Sequence, residues 1–436
     1  MTGALGTAHR RTATRRALAA ILGGDLSFHA ESSSYASHAL HAFAAKFPPQ
    51  LPRAFIEGLT DPGDVVLDPM MGSGTALLEA ALLGRRAAGA DIDPLAVRLC
   101  RVKTTPLEMD TVMRGVRSVV ARAAVSLMDA AALRREMERR FDELTMGFID
   151  YWFLPRTQRE LMALVVAIEE EPDDAVQELL QVILSSVIVT KSGGVSLARD
   201  LAHSRPHRVL AKVPRSAIEQ FELRARKAAT ALAALPPGRL SVKVYHADAR
   251  ELPLANESVD LVITSPPYAN AIDYMRAHKF SLVWFGEPVG RLSELRGTYI
   301  GSENCRDATG DGLPPVTARG IAEVSAVDAR KGRILSKYFT DMGLTLAEMH
   351  RVLRAGAAAG IVVGPSTMRG VRVRTHEHLA EIAEALGFEL VGIAQRKLDR
   401  DRRMMPARIG NSHMNGIEQR MHEEFVIGLI KRQPRG

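Results

Sequence analysis

Asp64-Val65-Val66-Leu67-Asp68-Pro69-Met70-Met71-Gly72-Ser73-Gly74-Thr75, running on into Ala76-Leu77-Leu78-Glu79-Ala80-Ala81-Leu82-Leu83, is the stretch that decides the fold. An apolar run of strand length follows Pro62-Gly63 and ends in an acid. Two glycines then lead into a helical pattern. Strand, glycine turn and helix open a nucleotide-binding α/β unit. Gly72 and Gly74 let the backbone turn tightly and approach a ligand with no Cβ in the way. The start of the helix offers free N–H groups to a carboxylate or phosphate. Arg86-Ala87-Ala88-Gly89-Ala90-Asp91 reads as the next strand. Asp91 lies 19 positions after Gly72, close to the spacing at which an acid reaches ribose hydroxyls. An adenosine-type cofactor is expected. Leu77 stands where a dinucleotide fingerprint has its third glycine, which disfavours NAD and FAD. No Gly-Lys-Ser or Gly-Lys-Thr occurs, which excludes a P-loop.

The second informative stretch is Thr264-Ser265-Pro266-Pro267-Tyr268, directly after the apolar run Val259-Asp260-Leu261-Val262-Ile263. Proline fixes its own φ and holds the residue before it extended, while keeping its carbonyl as an acceptor. Such a stiff corner suits a site that holds a flat substrate against a ring with carbonyls aimed at it.

The two motifs together resemble those of the amino-methylating DNA methyltransferases. Asp68 to Thr75 is similar to the family's S-adenosylmethionine motif, with Met70 in place of the usual Phe. Thr264 to Tyr268 is similar to its catalytic motif, in the serine form associated with cytosine N4. Lys46-Phe47-Pro48-Pro49 resembles the segment whose Phe sits beside the cofactor. His246-Ala247-Asp248-Ala249-Arg250 resembles the third strand end, whose acid holds the adenine amino group. The resemblance covers about half the chain, roughly 43–103 and 240–285. It implies S-adenosyl-L-methionine as cofactor, with contacts from Phe47, Asp68, Pro69, Gly72, Gly74 and Thr75, a ribose contact from Asp91 and an adenine contact from Asp248. It implies a catalytic corner of Ser265, Pro266, Pro267 and Tyr268. Ser265 Oγ and the Pro266 carbonyl would accept from the target amino group, and Tyr268 would stack on the base.

The reaction implied is transfer of a methyl group to an exocyclic amino group, cytosine N4 in DNA before the others. An adenine-N6 DNA enzyme, a tRNA guanine-N2 type RNA methyltransferase and a non-catalytic nucleic-acid-binding relative stay open as alternatives. Neither cysteine, Cys100 or Cys305, follows a proline, so the nucleophile of C5-cytosine methyltransferases is missing. Two cysteines make no disulfide framework and suit a reducing cytoplasm; no zinc or other metal motif is present. No apolar run is long enough to cross a membrane.

The 436 residues are 46% hydrophobic and carry a net charge of +7. A basic balance favours polyanions, and its distribution is informative. Residues 191–215 carry Lys191, Arg199, Arg205, Arg208, Lys212 and Arg215 against Asp200. Residues 396–408 carry Arg396, Lys397, Arg400, Arg402, Arg403 and Arg408 against Asp399 and Asp401. Lys191, Arg199, Arg205, Arg208, Arg402 and Arg403, with Arg276 from the segment after Tyr268, are the expected nucleic-acid contacts, DNA before RNA. A restriction or defence partner is not specified by any motif.

Strands are expected at 64–68, 86–91, 242–247, 259–264, 359–364, 389–395 and 424–431, alternating with helices. This alternation predicts an α/β, doubly wound, mostly parallel sheet. The resemblance makes it the seven-stranded Rossmann-like methyltransferase sheet, its last strand antiparallel. The catalytic domain is expected over 43–103 and 239–436, interrupted by a helical insertion at 104–238 for target recognition or dimerisation. Residues 1–42, with four arginines and no acid in the first 24, read as a basic N-terminal arm, and 286–332 as a long mobile loop.

Overall fold

The computed structural model describes residues 2–29, 31–43, 46–190, 194–199, 201, 206–269, 273–302, 312–398 and 422–433. Its strands are β1 (Val65–Asp68), β2 (Arg86–Asp91), β3 (Val242–His246), β4 (Val259–Thr264), β5 (Leu353–Val363), β6 (Ser366–Met368), β7 (Val371–Val373), β8 (Phe388–Lys397) and β9 (Glu423–Lys431). Seven of them form one sheet in the order β3-β2-β1-β4-β5-β9-β8, and β6 and β7 form a separate hairpin. Strands β1 to β5 pair parallel; β9 runs antiparallel between β5 and β8. This is the doubly wound α/β architecture the alternation predicts. The chain leaves β1 toward β2 and β3, then returns to place β4 on the other side of β1. At such a switch point the crevice at the carboxyl ends of the strands is open to a ligand.

The apolar runs form strands because both faces of the sheet are covered. Side chains alternate across it. Val66, Leu261 and Ile263 join one core with Leu51 and Phe55. Leu67 and Val262 join the opposite core with Tyr338, Phe339 and Leu346. Strand β5 starts six residues before the expected 359. Its register against β4 shifts between Val259 and Leu261, and Gly356 takes a φ of 78° there. The segment Leu353-Arg354-Ala355-Gly356-Ala357 lacks the apolar run that marks a strand.

The helices, in chain order, are α1 (Thr2–Gly23), α2 (Gln50–Leu59), α3 (Thr75–Leu82), α4 (Pro94–Lys103), α5 (Met109–Ser126), α6 (Ala130–Arg140), α7 (Glu143–Trp152), α8 (Pro155–Glu169), α9 (Asp174–Ile188), α10 (Ala217–Ala233), α11 (Met275–Leu282), α12 (Val289–Thr298), α13 (Pro315–Val327), α14 (Ala329–Val352) and α15 (Thr375–Ala385). None is long and apolar enough to cross a membrane among the described residues.

Helices α5 to α10 lie between β2 and β3. Asp173 caps α9 by accepting from the main-chain N–H groups of Ala175 and Val176, each at 3.0 Å. The periodic residues Val176, Leu179, Leu180, Ile183, Leu184, Val187 and Ile188 are all buried. So are Val182, Ser185 and Ser186, which makes α9 a central helix rather than a one-faced cover. These helices share a core with Leu95 and Leu99 of α4 and with Phe280 of α11.

Two expectations are corrected. Thr2–Gly23 is not a loose basic arm: it is a helix docked against α2, β5, β8 and β9. Small residues make the dock. A Cβ on Gly428 would lie 2.5 Å from Leu22 Cδ1 and 3.2 Å from Leu18 Cδ1, so glycine admits the helix, and Leu18 is fully buried. Residues 286–332 are not one long loop. They contain α12 and α13, each started by a proline that cannot donate to a preceding turn. Sparse apolar periodicity hid both.

Candidate active site

The glycine turn is built by three constraints. Gly72 and Gly74 take φ of 49° and 75°, and Gly74 is the left-handed residue that starts α3. A Cβ on Gly74 would lie 2.4 Å from Cys100 Sγ, and one on Gly72 would lie 3.2 Å from the Phe43 ring. Both oxygens of Asp91 accept main-chain bonds, from Gly72 N–H and Asp93 N–H, each at 2.9 Å. Beneath the turn, buried Lys103 donates to the Ser73 carbonyl at 2.7 Å. Burial, then the nearby Lys46, pulls the Lys103 pKa down to about 7.

The Ser-Pro-Pro corner meets this turn directly. Thr264, the last residue of β4, donates its hydroxyl to Asp68 Oδ1 at 2.6 Å, across neighbouring strand ends. Burial drives the Asp68 pKa up to about 7 despite that bond. Asp91 is likewise pushed to about 7, by burial first and then by the charge of Asp93. The Pro267 carbonyl accepts from Tyr338 Oη at 2.9 Å. The Tyr268 hydroxyl donates to Glu424 Oε1 on β9 at 2.7 Å, and buried Arg396 holds Oε2 at 2.7 Å.

One pocket gathers most of the expected residues. Phe47, Asp68, Pro69, Gly72, Thr75, Asp91, Asp248, Ser265, Pro267 and Arg276 all line it. Gly74, Pro266 and Tyr268 do not. Gly74 acts through the turn's shape. Tyr268 is held by its hydroxyl to Glu424 on β9. Both Asp248 oxygens are engaged by Arg250, with Nη2 to Oδ2 at 2.6 Å, and Arg250 also reaches Asp341 on α14 at 2.8 Å. Burial opposes the charge of Asp248, but Arg250 more than offsets it, so its pKa is lowered.

Other residues of the wall carried no motif. Phe43 stacks on Tyr274 with ring centres 5.3 Å apart. Asp93 caps α4 and accepts from, or is paired with, His278 Nδ1 at 2.6 Å, in a buried contact. His278 is thus taken up inside rather than facing a substrate. Asp273 and Tyr299 also line the pocket. The cap residue before Pro94 was readable as a helix start; the partners supplied by α11 and α12 were not.

The basic clusters separate. Arg199 is exposed, and the Arg208 guanidinium lies 4.3 Å from the centre of the Tyr151 ring. Arg396 is corrected from a surface cation to a buried one. Lys191, Arg205, Arg402 and Arg403 lie outside the described residues.

The family model described as "DNA methylase", of N6/N4 type, matches residues 25–101, which contain the glycine turn and Asp91. Type II methyltransferase M.MvaI of Kocuria varians is similar at 22% identity over 423 residues, covering 90% of each chain. The chain is thus similar to amino-methylating DNA methyltransferases. A second relative, type II methyltransferase M.MjaII of Methanocaldococcus jannaschii, is 23% identical over 343 residues, covering 59% of this chain and 63% of its own. The pocket fits S-adenosylmethionine, the cofactor that the likeness to these methyltransferases implies. Thr75 Oγ1, at the start of α3, is buried without a hydrogen-bond partner among the described residues. The cradle over Gly72 stays open only because no Cβ fills it, and two buried carboxyls flank it.

Proposed function

We propose that the enzyme methylates cytosine N4 in DNA. The observation that carries this reading is the Thr264–Asp68 hydrogen bond, which ties the Ser-Pro-Pro corner to the glycine turn in one pocket. S-adenosylmethionine, when bound, supplies an electrophilic methyl group. Asp68, Gly72 and Thr75 hold its methionine side, Asp91 its ribose and Asp248 its adenine. The exocyclic nitrogen is a weak nucleophile, because its lone pair is delocalised into the ring. Ser265 Oγ and the Pro266 carbonyl accept from its N–H groups and hold it in line, which contributes up to roughly 7–11 kcal/mol. The corner's proline geometry and the Tyr268–Glu424 bond keep these acceptors in place. Arg276 and Arg296, both in the pocket wall and sharing the single counter-charge of Asp273, leave net positive charge there to attract a nucleotide's phosphates. Flipping the base out of a duplex costs a few kcal/mol, on the order of 2–4. The serine in the corner, by likeness to the N4 form of the motif, favours cytosine over adenine.

Nucleoside mass analysis of DNA and tRNA from cells making the protein tests the reading. N4-methylcytosine in DNA is the expected product. N6-methyladenine would move the assignment to the adenine branch. Methylguanosine in tRNA with unmodified DNA would overturn it.

A further inference from the structure

We propose that the turn Val209-Leu210-Ala211-Lys212-Val213, in the helical insertion, is a wedge that seats in a groove of duplex DNA. Leu210 and Val213 press on sugar and base edges, and Arg208 and Arg215 beside them hold phosphates. The proposal rests on the DNA reading above and names the part of the molecule that grips the duplex.

Leu210 and Val213 are 76% and 89% exposed. A single exposed leucine is ordinary. Here two apolar side chains, three positions apart, stand out from a turn that is pinned from within. Lys212 sends its ammonium inward and donates to the carbonyls of Ser196 at 2.6 Å and Ala198 at 2.7 Å. Val209 N–H donates to the Leu197 carbonyl at 2.9 Å, and Leu197 N–H to the Trp152 carbonyl at the end of α7 at 2.8 Å. The turn is thus fixed with its apolar tip in water, where a partner would cover it. The half-exposed Tyr151 ring adjoins it and carries the Arg208 guanidinium 4.3 Å from its centre.

Charge selects the partner. Arg199, Arg208 and Arg215 are exposed around the turn, and no acid stands among the described residues of 194–215. A duplex groove offers sugar and base edges between walls of phosphate, which matches both the apolar tip and the arginines. A second copy of the chain matches the tip alone, because a two-fold contact would bring the same arginines face to face.

The fold delivers the turn to the pocket side. Asp93, in the pocket wall, starts α4, which runs away from the pocket. Glu178, in the first half of α9, meets Arg101 at the far end of α4 at 3.7 Å. Ser185, in the last turn of α9, donates to Ser281 of α11 at 3.0 Å, and His278 of α11 pairs with Asp93 at 2.6 Å. Helix α9 therefore runs antiparallel to α4 and ends at the level of the pocket. Val195 N–H donates to the Val187 carbonyl at 3.4 Å, which keeps the next segment against that end.

Fluorescence anisotropy of a labelled mixed-sequence DNA duplex with the full chain tests the wedge. Leu210→Ser combined with Val213→Ser is expected to weaken duplex binding about 10-fold and leave its salt dependence unchanged. Arg215→Ala is expected to lower the slope of log affinity against log salt by about 0.9. Both changes fall on exposed side chains, and an unshifted urea midpoint checks that the variants are folded. Duplex affinity within twofold of wild type in the double variant would overturn the proposal. So would sedimentation showing a dimer that the double variant dissolves while binding DNA as before, or tighter wild-type binding to an RNA duplex with the loss confined to RNA. A wild-type chain that binds no duplex would instead overturn the DNA reading on which the proposal rests.

Discussion

Asp68 and Asp91 are acids that burial holds near pKa 7, beside the place where a cationic sulfonium is expected. In the unfolded chain each would have its ordinary value of 3.8. Their stability contribution is therefore fully present below about 3.8 and lost as pH rises through about 7. His38 and His41 act in the opposite sense. Burial takes them to about 4 and about 3, so their contribution is present above 6.5 and lost as pH falls. The melting temperature thus mixes the two, and ligand binding separates them. At pH 6.5 the cofactor's own amine, of pKa about 7.7–8.0, is charged, and both acids are mostly protonated. S-adenosylmethionine binding should release protons, seen as titration heats that differ between buffers of different ionisation enthalpy. Equal heats would remove the two carboxyls from the binding reaction. Ser265→Ala should lower the single-turnover methylation rate roughly 10- to 100-fold and leave cofactor affinity within about threefold. An unchanged rate would take Ser265 out of the reaction.

At the scale of elements, β9 supports the Ser-Pro-Pro corner from two strands away. Its Glu424 receives Tyr268 on one oxygen and buried Arg396 on the other. Glu424→Ala leaves Arg396 without its counter-charge and should destabilise the fold by about 3–5 kcal/mol in urea unfolding. Glu424→Gln, which can still accept from Tyr268, should cost less; equal costs would show that the lost charge, not the hydrogen bond, sets the effect. Helix α1 is held by apolar contact with glycine-bearing strands. Leu18→Ala should cost about 2–5 kcal/mol, the range for an emptied buried leucine site. A change near zero would mean that α1 is not part of the folded unit.

For the molecule as a whole, one core runs from α4 through the inserted helices to α11 and Trp284. The same α11 carries His278, paired with Asp93 at the pocket. The insertion and the cofactor site should therefore unfold together. Tryptophan fluorescence, from Trp152 and Trp284 in the shared core, and cofactor binding should be lost at the same urea concentration. Separated midpoints would show that the insertion is an independent unit.

The sequence by itself determined the seven strands, the glycine turn and the acid after it, because each depends on local rules. An apolar run makes a strand, a left-handed turn demands glycine, and an acid at fixed spacing returns to the same end of the sheet. It also carried the Ser-Pro-Pro corner. Only the tertiary structure decided what surrounds these parts. Arg10, Arg11, Arg15 and Arg16 gave α1 the look of a free arm, because the glycines that receive it, Gly392 in β8 and Gly428 in β9, lie at the far end of the chain. The hydrogen bond of Tyr268 to Glu424 joins residues 156 positions apart, beyond the reach of any local pattern. Asp273 and Tyr299 carry no pattern along the chain. Their place in the wall comes from α11 and α12 folding back over the pocket.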